Sequence, residues 1–183
     1  NLILNSKKPI IISGYGIRSS KAEVEFKKFV KLTRIPVINS WNTIDLMNSS
    51  STDVIGRSGV FGDRASNYAV QKCDLLIVLG SRMSTAQVGY MDDMFSPKSK
   101  KIHVDISKKE LNKKTFKADL KIHFDVKSFL SIMNFELKVK KSRINNYLWK
   151  EKLLVLKNKY TMIDVHQKRQ KNYTNSFRFI DEL

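Results

Sequence analysis

Four short motifs carry groups suited to binding a phosphorylated ligand. Gly14-Tyr15-Gly16 could bring backbone N–H groups close to a phosphate or diphosphate. Gly80-Ser81-Arg82 adds a guanidinium, whose fork of N–H donors pairs with phosphate oxygens. Asp105 and Asp125 could each accept hydrogen bonds from the hydroxyl groups of a ribose. All four motifs follow runs of apolar residues, so their relative positions depend on how those runs fold.

Each motif also has a purely structural interpretation. The two glycines could serve a tight turn that needs a positive φ, and Ser19 stands where the third glycine of a dinucleotide fingerprint would fall. Arg82 could form a salt bridge between domains. An aspartate at the end of a strand often caps the helix that follows. Spacing alone leaves both interpretations open for every motif.

The apolar runs before the motifs are typical of strands in a buried parallel sheet. They cover residues 9–13, 35–39, 75–79, 101–105 and 120–125, and the last two each end in an acid. Stretches with helical periodicity lie between them. We therefore predict an α/β fold, a Rossmann-like doubly wound and mostly parallel sheet with helices on both faces. In such sheets ligands bind outside the carboxyl ends of the strands, where the motifs would gather.

The sequence shows no recognisable catalytic or metal-binding constellation. His103 and His123 have no partner cysteine or acid at a metal-ligand spacing, and we expect both to be structural. Cys73 stands beside Asp74, whose charge would raise rather than lower the pKa of a thiol. We assign no catalytic residue and no metal ligand in this chain.

The composition fits a folded chain with a basic surface. Of 183 residues, 42% are hydrophobic, and no apolar run approaches the roughly 18–20 residues that a membrane helix needs. A single cysteine cannot form an internal disulfide, and we expect a cytoplasmic protein without a membrane partner. The net charge of +17 invites a nucleic-acid interpretation. The excess is mostly lysine in helical patterns, without an aromatic RNA-binding signature, so a solvated lysine-rich surface is preferred.

We predict two parts that meet near residue 135. Residues 1–135 would form the Rossmann-like domain, and residues 136–183 a helical linker. The linker would contain an amphipathic helix over 145–160, an irregular connection over 161–175 and a final helix capped by Asn175. Because the chain opens with Asn1 and closes on an incomplete helical pattern, we expect a fragment of a longer protein.

Five segments resemble, in the same order, the central domain of thiamine-diphosphate enzymes of the acetolactate synthase type. They are PIIISGYGIR at 9–18, IPVINSWNTIDL at 35–46, GRSGVFGDRASNYAV at 56–70, CDLLIVLGSR at 73–82 and KIHVDI at 101–106. The resemblance runs from about residue 8 to residue 133. No single segment is diagnostic, but the ordered set is specific.

The resemblance implies an intact enzyme of three α/β domains, with thiamine diphosphate and Mg²⁺ between the two outer ones at the subunit interface of a homodimer or homotetramer. Such enzymes decarboxylate a 2-keto acid such as pyruvate and transfer the remaining carbanion to an acceptor, with the cofactor as electron sink. The family's catalytic glutamate and metal-binding motif belong to the outer domains. The resemblance therefore implies that this chain alone is not catalytic, and that residues 136–183 lead towards a missing diphosphate-binding domain.

In this family the central domain binds FAD, ADP or no nucleotide. Phe61 stands where the family has a histidine, and Ser84 and Thr85 stand where FAD-binding members often have acids. The positions that match the family's nucleotide contacts are the candidate cofactor-binding residues. They are Gly14, Gly16, Ser40, Trp41, Gly59, Val60, Phe61, Gly80, Ser81, Arg82, Met83, Asp105, Ile106, Asp125 and Val126.

Two other functions stay open at this point. A free-standing nucleotide- or NAD-binding module would share the Rossmann-like sheet and the strands that end in aspartate. A basic nucleic-acid-binding protein would use the lysine-rich second half of the chain.

Overall fold

Six parallel strands form one sheet in the order β3-β2-β1-β4-β5-β6. The structure, a computed structural model, describes residues 1–140, 144–161 and 173–183. The strands are β1 Pro9–Ser13, β2 Val37–Asn39, β3 Val54–Arg57, β4 Leu75–Leu79, β5 Lys100–Asp105 and β6 Leu120–His123. This is the doubly wound, Rossmann-like arrangement that the apolar runs predicted.

Helices cover both faces of the sheet. Those described are α1 Leu2–Asn5, α2 Gly16–Ser19, α3 Glu23–Thr33, α4 Arg64–Lys72, α5 Thr85–Val88, α6 Lys108–Leu111, α7 Val126–Val139, α8 Tyr147–Lys159 and α9 Ser176–Asp181. Single 3₁₀ turns lie at Trp41–Thr43 and Asp92–Met94. Helices α3 and α7 pack on one face, and α4 and α8 pack on the other. None of the helices in the described ranges is long and apolar enough to cross a bilayer.

The switch point of the sheet lies between β1 and β4. Every residue of these two strands is buried, because helices cover them from both sides. β1 pairs with β2 on one side and with β4 on the other, so the chain winds outward in opposite directions from this pair. Ser13 and Leu79 are register partners at their carboxyl ends. A crevice therefore opens beyond this pair, at the place where such folds bind ligands.

Three elements differ from the sequence-based prediction. β3 was not predicted, because this short edge strand contains Gly56 and Arg57 and so lacks the apolar signature of the inner strands. The helical stretch expected between the first two strands is divided into the short helix α2 and helix α3, which begins at Glu23. Helix α7 continues to Val139 and so runs across the boundary expected near residue 135.

Helix α8 packs onto the sheet domain through its apolar side. Trp149 and Leu153 are buried in the same apolar layer as α4. On the polar side, the ammonium group of Lys150 pairs with Asp53, and that of Lys157 donates to the carbonyl of Val54 over 2.7 Å. The two lysines thereby hold α8 beside β3, the strand at the end of the sheet.

The helix predicted over 145–160 is thus confirmed, and it shares the core of the sheet domain. Asn175 caps α9 as predicted, because its side chain accepts a hydrogen bond from the N–H of Phe177 over 2.9 Å. Most of the irregular connection expected over 161–175 lies outside the described residues. The division into residues 1–135 and 136–183 stays a prediction.

Candidate functional site

A cleft of about 690 Å³ opens at the carboxyl ends of the central strands, beside the switch point. This volume lies within the range of small-molecule sites in proteins. The loops that line it follow β1, β2, β4 and β5, since the carboxyl ends of parallel strands meet at one edge of a sheet. Nine of the predicted cofactor-binding residues line the cleft: Gly16, Ser40, Trp41, Gly80, Ser81, Arg82, Met83, Asp105 and Ile106.

The two glycine motifs contact each other beside the cleft. The N–H of Gly14 donates to the carbonyl of Leu79, and the N–H of Gly16 donates to the carbonyl of Gly80, both over 2.9 Å. A Cβ on Gly16 would lie 2.6 Å from the Cα of Gly80, too close for any real side chain. Glycine is needed at residues 14 and 16 for close backbone packing, while Gly80 alone of the three has a positive φ, of 58°.

These hydrogen bonds change the role expected for the first motif. The N–H groups of Gly14 and Gly16 are already used within the protein, so they are not the donors that would meet a phosphate. The two glycines instead join the loop after β1 to the loop after β4. They shape the cleft rather than supply its hydrogen-bond donors.

The loop from Gly80 to Met83 carries Arg82 at the cleft. The carbonyl of Ser81 accepts a hydrogen bond from Nε2 of His103 over 3.0 Å, and the carbonyl of Arg82 accepts one from Nζ of Lys113 over 2.7 Å. Met83 has a φ of 46°, which is strained for a residue with a side chain. The loop is therefore held from β5 and α6, and it presents the exposed Arg82 towards the cleft.

His103 supports this loop as a neutral side chain. Burial lowers the pKa of His103, although its hydrogen bond to Ser81 and the charge of Asp105 act in the opposite direction. Its ring packs edge-on against Phe116, with 5.4 Å between ring centroids. His123 similarly contacts the carbonyl of Ile106 over 2.8 Å. These contacts support the structural interpretation of both histidines, which stays a prediction.

Asp105 and Asp125 follow neighbouring strands but have different surroundings. Asp125 caps α7, since its carboxylate accepts a hydrogen bond from the N–H of Ser128 over 2.8 Å. It lies outside the cleft lining, and Val126 is buried in the core. The contacts of Asp125 and Val126 thus agree with a structural role for both residues.

Asp105 lies in the cleft lining, at the end of β5. One of its carboxylate oxygens, Oδ1, accepts a hydrogen bond from the N–H of Ser107 over 2.8 Å. The other, Oδ2, lies 3.9 Å from Nε2 of His103. Since that distance is too long for a hydrogen bond, Oδ2 retains capacity to accept from a ligand hydroxyl.

Gly59, Val60 and Phe61 lie beside the cleft rather than among its lining residues. The side chain of Asn67 bonds both the N–H and the carbonyl of Gly59, over 2.9 and 3.0 Å. The exposed ring of Phe61 packs edge-on against that of Trp41, with centroids 6.1 Å apart. The pair places an accessible aromatic surface at the rim, of a kind suited to flat ring systems.

Sequence reasoning missed eight residues of the lining. Ser107 caps helix α6, since its hydroxyl accepts a hydrogen bond from the N–H of Glu110 over 3.4 Å. This Ser-x-x-Glu pattern is visible in the sequence and could have marked both residues. The sequence had drawn attention to Tyr15, Ser19 and Ser84 without assigning them to the site, whereas Asn42, Ala86 and Gln87 carry no comparable signal.

The cleft offers groups for binding: an exposed guanidinium, a carboxylate oxygen and an aromatic rim. Among residues 1–140, 144–161 and 173–183, no group of three or more His, Cys, Asp or Glu side chains could hold a metal ion.

Comparison with known proteins relates the chain to one family. The family model described as "Thiamine pyrophosphate enzyme, central domain" matches residues 1–133. The chain is 32% identical over 161 residues to "Probable acetolactate synthase large subunit" of Methanocaldococcus jannaschii, a match that covers 85% of the chain and 26% of the relative. It is 31% identical over 163 residues to "Acetolactate synthase 2, chloroplastic" of Nicotiana tabacum, covering 88% and 24%.

A third relative is "Acetolactate synthase isozyme 2 large subunit" of Escherichia coli, which is 26% identical over 160 residues. That match covers 87% of the chain and 28% of the relative. The chain therefore spans about a quarter of the length of the curated relatives it matches.

Proposed function

The chain belongs to the thiamine pyrophosphate enzymes through their central domain, and from this premise we propose that it binds an adenine nucleotide and spaces the other parts of an acetolactate synthase-like enzyme. One observation carries the nucleotide proposal. Arg82 and Asp105, which follow two different strands, line the same cleft at the switch point of the sheet.

The residues present fit the ADP part of such a nucleotide. Oδ2 of Asp105 retains capacity to accept a ribose hydroxyl, and the guanidinium of Arg82 offers paired N–H donors for a diphosphate. Ile106 is exposed at the cleft and offers apolar surface to a base. ADP and FAD share this portion. The aromatic rim formed by Trp41 and Phe61 would be available to a flavin.

For the whole enzyme we propose the synthesis of acetolactate, which is the activity that the relatives' names state, and we propose a 2-keto acid as its substrate. Thiamine diphosphate with Mg²⁺ would supply the electron sink from outside this chain. We also propose a homodimer or homotetramer in the cytoplasm. Residues 136–183 would lead towards a diphosphate-binding domain, with α8 docked on the way. The names of the three relatives support the proposed activity.

Calorimetric titration of the chain with ADP and with FAD tests the nucleotide role. Equal affinities would indicate that the ADP portion carries the binding, whereas tighter binding of FAD would assign a contribution to the flavin. NAD⁺ serves as a third ligand, since a free-standing NAD module would prefer it to both. Absence of heat with all three at millimolar concentration would refute nucleotide binding and leave the family assignment intact.

A separate assay tests the activity of the whole enzyme. The complete protein that carries this domain should form acetolactate from pyruvate only when thiamine diphosphate and Mg²⁺ are supplied. Pyruvate consumption without either cofactor would contradict the proposed reaction.

A further inference from the structure

A second concavity lies at the opposite end of the sheet, where β5 and β6 begin. It has a volume of about 410 Å³ and is lined by Pro97, Lys98, Ser99, Lys100, Lys101, Lys117, Ala118 and Asp119. Lys100 begins β5 and Asp105 ends it. At about 3.3 Å per residue, the strand separates this concavity from the nucleotide cleft by roughly 17 Å. The two sites are therefore distinct.

The charge in this concavity is unbalanced, since four lysines face one aspartate. Nζ of Lys100 pairs with Asp119 over 3.1 Å. Lys117 lies 3.6 Å from Asp93, but both side chains are largely exposed, so their attraction is weak. Nζ of Lys101 is 3.5 Å from a backbone carbonyl, that of Ser99, and Lys98 is exposed. Two of the four ammonium groups, those of Lys98 and Lys101, therefore have no acidic partner within 4 Å in the described part of the chain.

The positive charges around Asp119 affect the pKa of its carboxyl group. Partial burial acts to raise the pKa of Asp119, but the hydrogen bonds from the N–H of Lys101 and the ammonium of Lys100, together with the charges of both lysines, hold it below its usual value. The carboxyl group is therefore ionised at neutral pH. It offsets one of the four ammonium charges.

The walls of the concavity are held by packed and hydrogen-bonded groups behind them. The hydroxyl of Ser96 donates to that of Ser99 over 2.8 Å. The rings of Phe95 and Phe116 pack edge-on at 6.0 Å, next to the two lysine-bearing segments. Asp119 joins the segments by accepting from the N–H of Lys101 over 2.9 Å. The backbone that carries the lysines is therefore held in place, which limits the entropic cost of binding to the ordering of the lysine side chains.

We propose that this concavity binds a compact anion with several negative charges, of the phosphate or pyrophosphate class. Ammonium groups act as point charges on flexible stems, so they recognise charge density rather than a planar carboxylate. A multivalent anion would contact several of them at once. The lysines are confined to two short segments, 97–101 and 117–119, which suits a compact phosphate group rather than an extended polyanion. An extended polyanion would need a stripe of basic groups along its length.

Titration of the chain with inorganic pyrophosphate, followed by calorimetry at physiological ionic strength, tests the proposal. The variant Lys98→Gln/Lys117→Gln removes two ammonium groups from the concavity. The matched control Lys27→Gln/Lys31→Gln removes two exposed lysines from α3 and changes the net charge equally. We expect affinity to fall by about tenfold or more in the first variant, as for the loss of charge-assisted hydrogen bonds, and by less than about twofold in the control.

Two results would overturn the proposal. One is an equal loss of pyrophosphate affinity in both double variants, which would assign the binding to the net positive charge of the whole chain. An oligonucleotide titrated in parallel would then lose affinity equally in both variants. The other is no heat from the unaltered chain. Thermal unfolding checks that both variants fold, and Lys98→Gln alone, at an exposed position, replaces the double variant if it does not fold. Because ADP binding is measured separately, failure here leaves the nucleotide role untouched.

Discussion

The N–H of Gly16 donates to the carbonyl of Gly80 over 2.9 Å, which joins the loops after β1 and β4 at the switch point of the sheet. The backbones approach so closely that a Cβ on Gly16 would lie 2.6 Å from the Cα of Gly80. Both loops line the cleft that we propose binds a nucleotide. The shape of the cleft thus depends on two residues without side chains.

Replacing Gly16 with alanine should destabilise the fold. The added methyl group meets backbone that cannot rotate away, and such overpacking costs about 3 kcal/mol. The control is Ser19→Ala, at an exposed position in the lining of the same cleft, which should change stability by less than about 0.5 kcal/mol. Urea unfolding followed by circular dichroism measures both. Equal midpoints for Gly16→Ala and the unaltered chain would contradict the observed packing.

Helix α8 should contribute to the stability of the sheet domain. Trp149 is 5% exposed, whereas its neighbour Leu148 is 81% exposed. Trp149→Ala should cost about 3–5 kcal/mol of unfolding free energy, because a large ring leaves the core. Leu148→Ala should cost less than about 0.5 kcal/mol. Urea unfolding measures both variants. If Trp149→Ala and Leu148→Ala have the same free energy of unfolding, α8 is not docked on the sheet as described.

The stability of the chain should fall as the pH drops below the usual pKa of histidine. Burial lowers the pKa of His103, so the folded state takes up its proton less readily than the unfolded chain does. Stability from this group is fully present above about pH 6.5 and is lost as the pH falls towards the lowered value. Denaturant unfolding between about pH 7 and pH 5 measures the slope.

The variant His103→Gln should show a shallower dependence over the same pH interval. The substitution removes the titrating group and retains a donor near the carbonyl of Ser81. Other groups that titrate in this interval act equally in both proteins. An unchanged slope in His103→Gln would mean that the folded state does not resist protonation of His103.

The thiol of Cys73 should be inert in the folded chain. Burial raises the pKa of Cys73 to about 11, although hydrogen bonds with Ser96 and Ser99 act to lower it. Since the thiolate is the reactive form, labelling by a maleimide near neutral pH should be far slower in the folded than in the urea-unfolded chain. Comparable labelling rates in the two states would show that Cys73 is accessible and ionisable.

The inner sheet could be predicted from the sequence because burial on both faces leaves long aliphatic runs. β1 and β4 have the bounds predicted from residues 9–13 and 75–79. The edge strand β3 was missed, since it pairs with one neighbour and tolerates Gly56 and Arg57. The docking of α8 was also missed, because the contacts of Trp149 and Lys157 join segments that are distant in sequence.

The candidate site could be predicted less completely than the sheet. Asp105 and Asp125 are alike in sequence, because each follows a strand and precedes a helix. Their strands occupy different positions in the sheet, since β5 lies beside β4 near the switch point whereas β6 lies at the end of the sheet. Gly14 and Gly16 were predicted to contact a cofactor, but only the structure shows that their N–H groups bond the neighbouring loop.

The most direct test of the nucleotide role compares Asp105→Asn with Asp125→Asn in calorimetric titrations with ADP. Both variants lose one negative charge, and asparagine retains an oxygen for the N–H of Ser107 or Ser128. We predict that ADP affinity falls about tenfold for Asp105→Asn, as for the loss of a hydrogen bond to a charged group, and stays within about twofold for Asp125→Asn. Equal affinities in the two variants would contradict the assignment of the cleft as the nucleotide site.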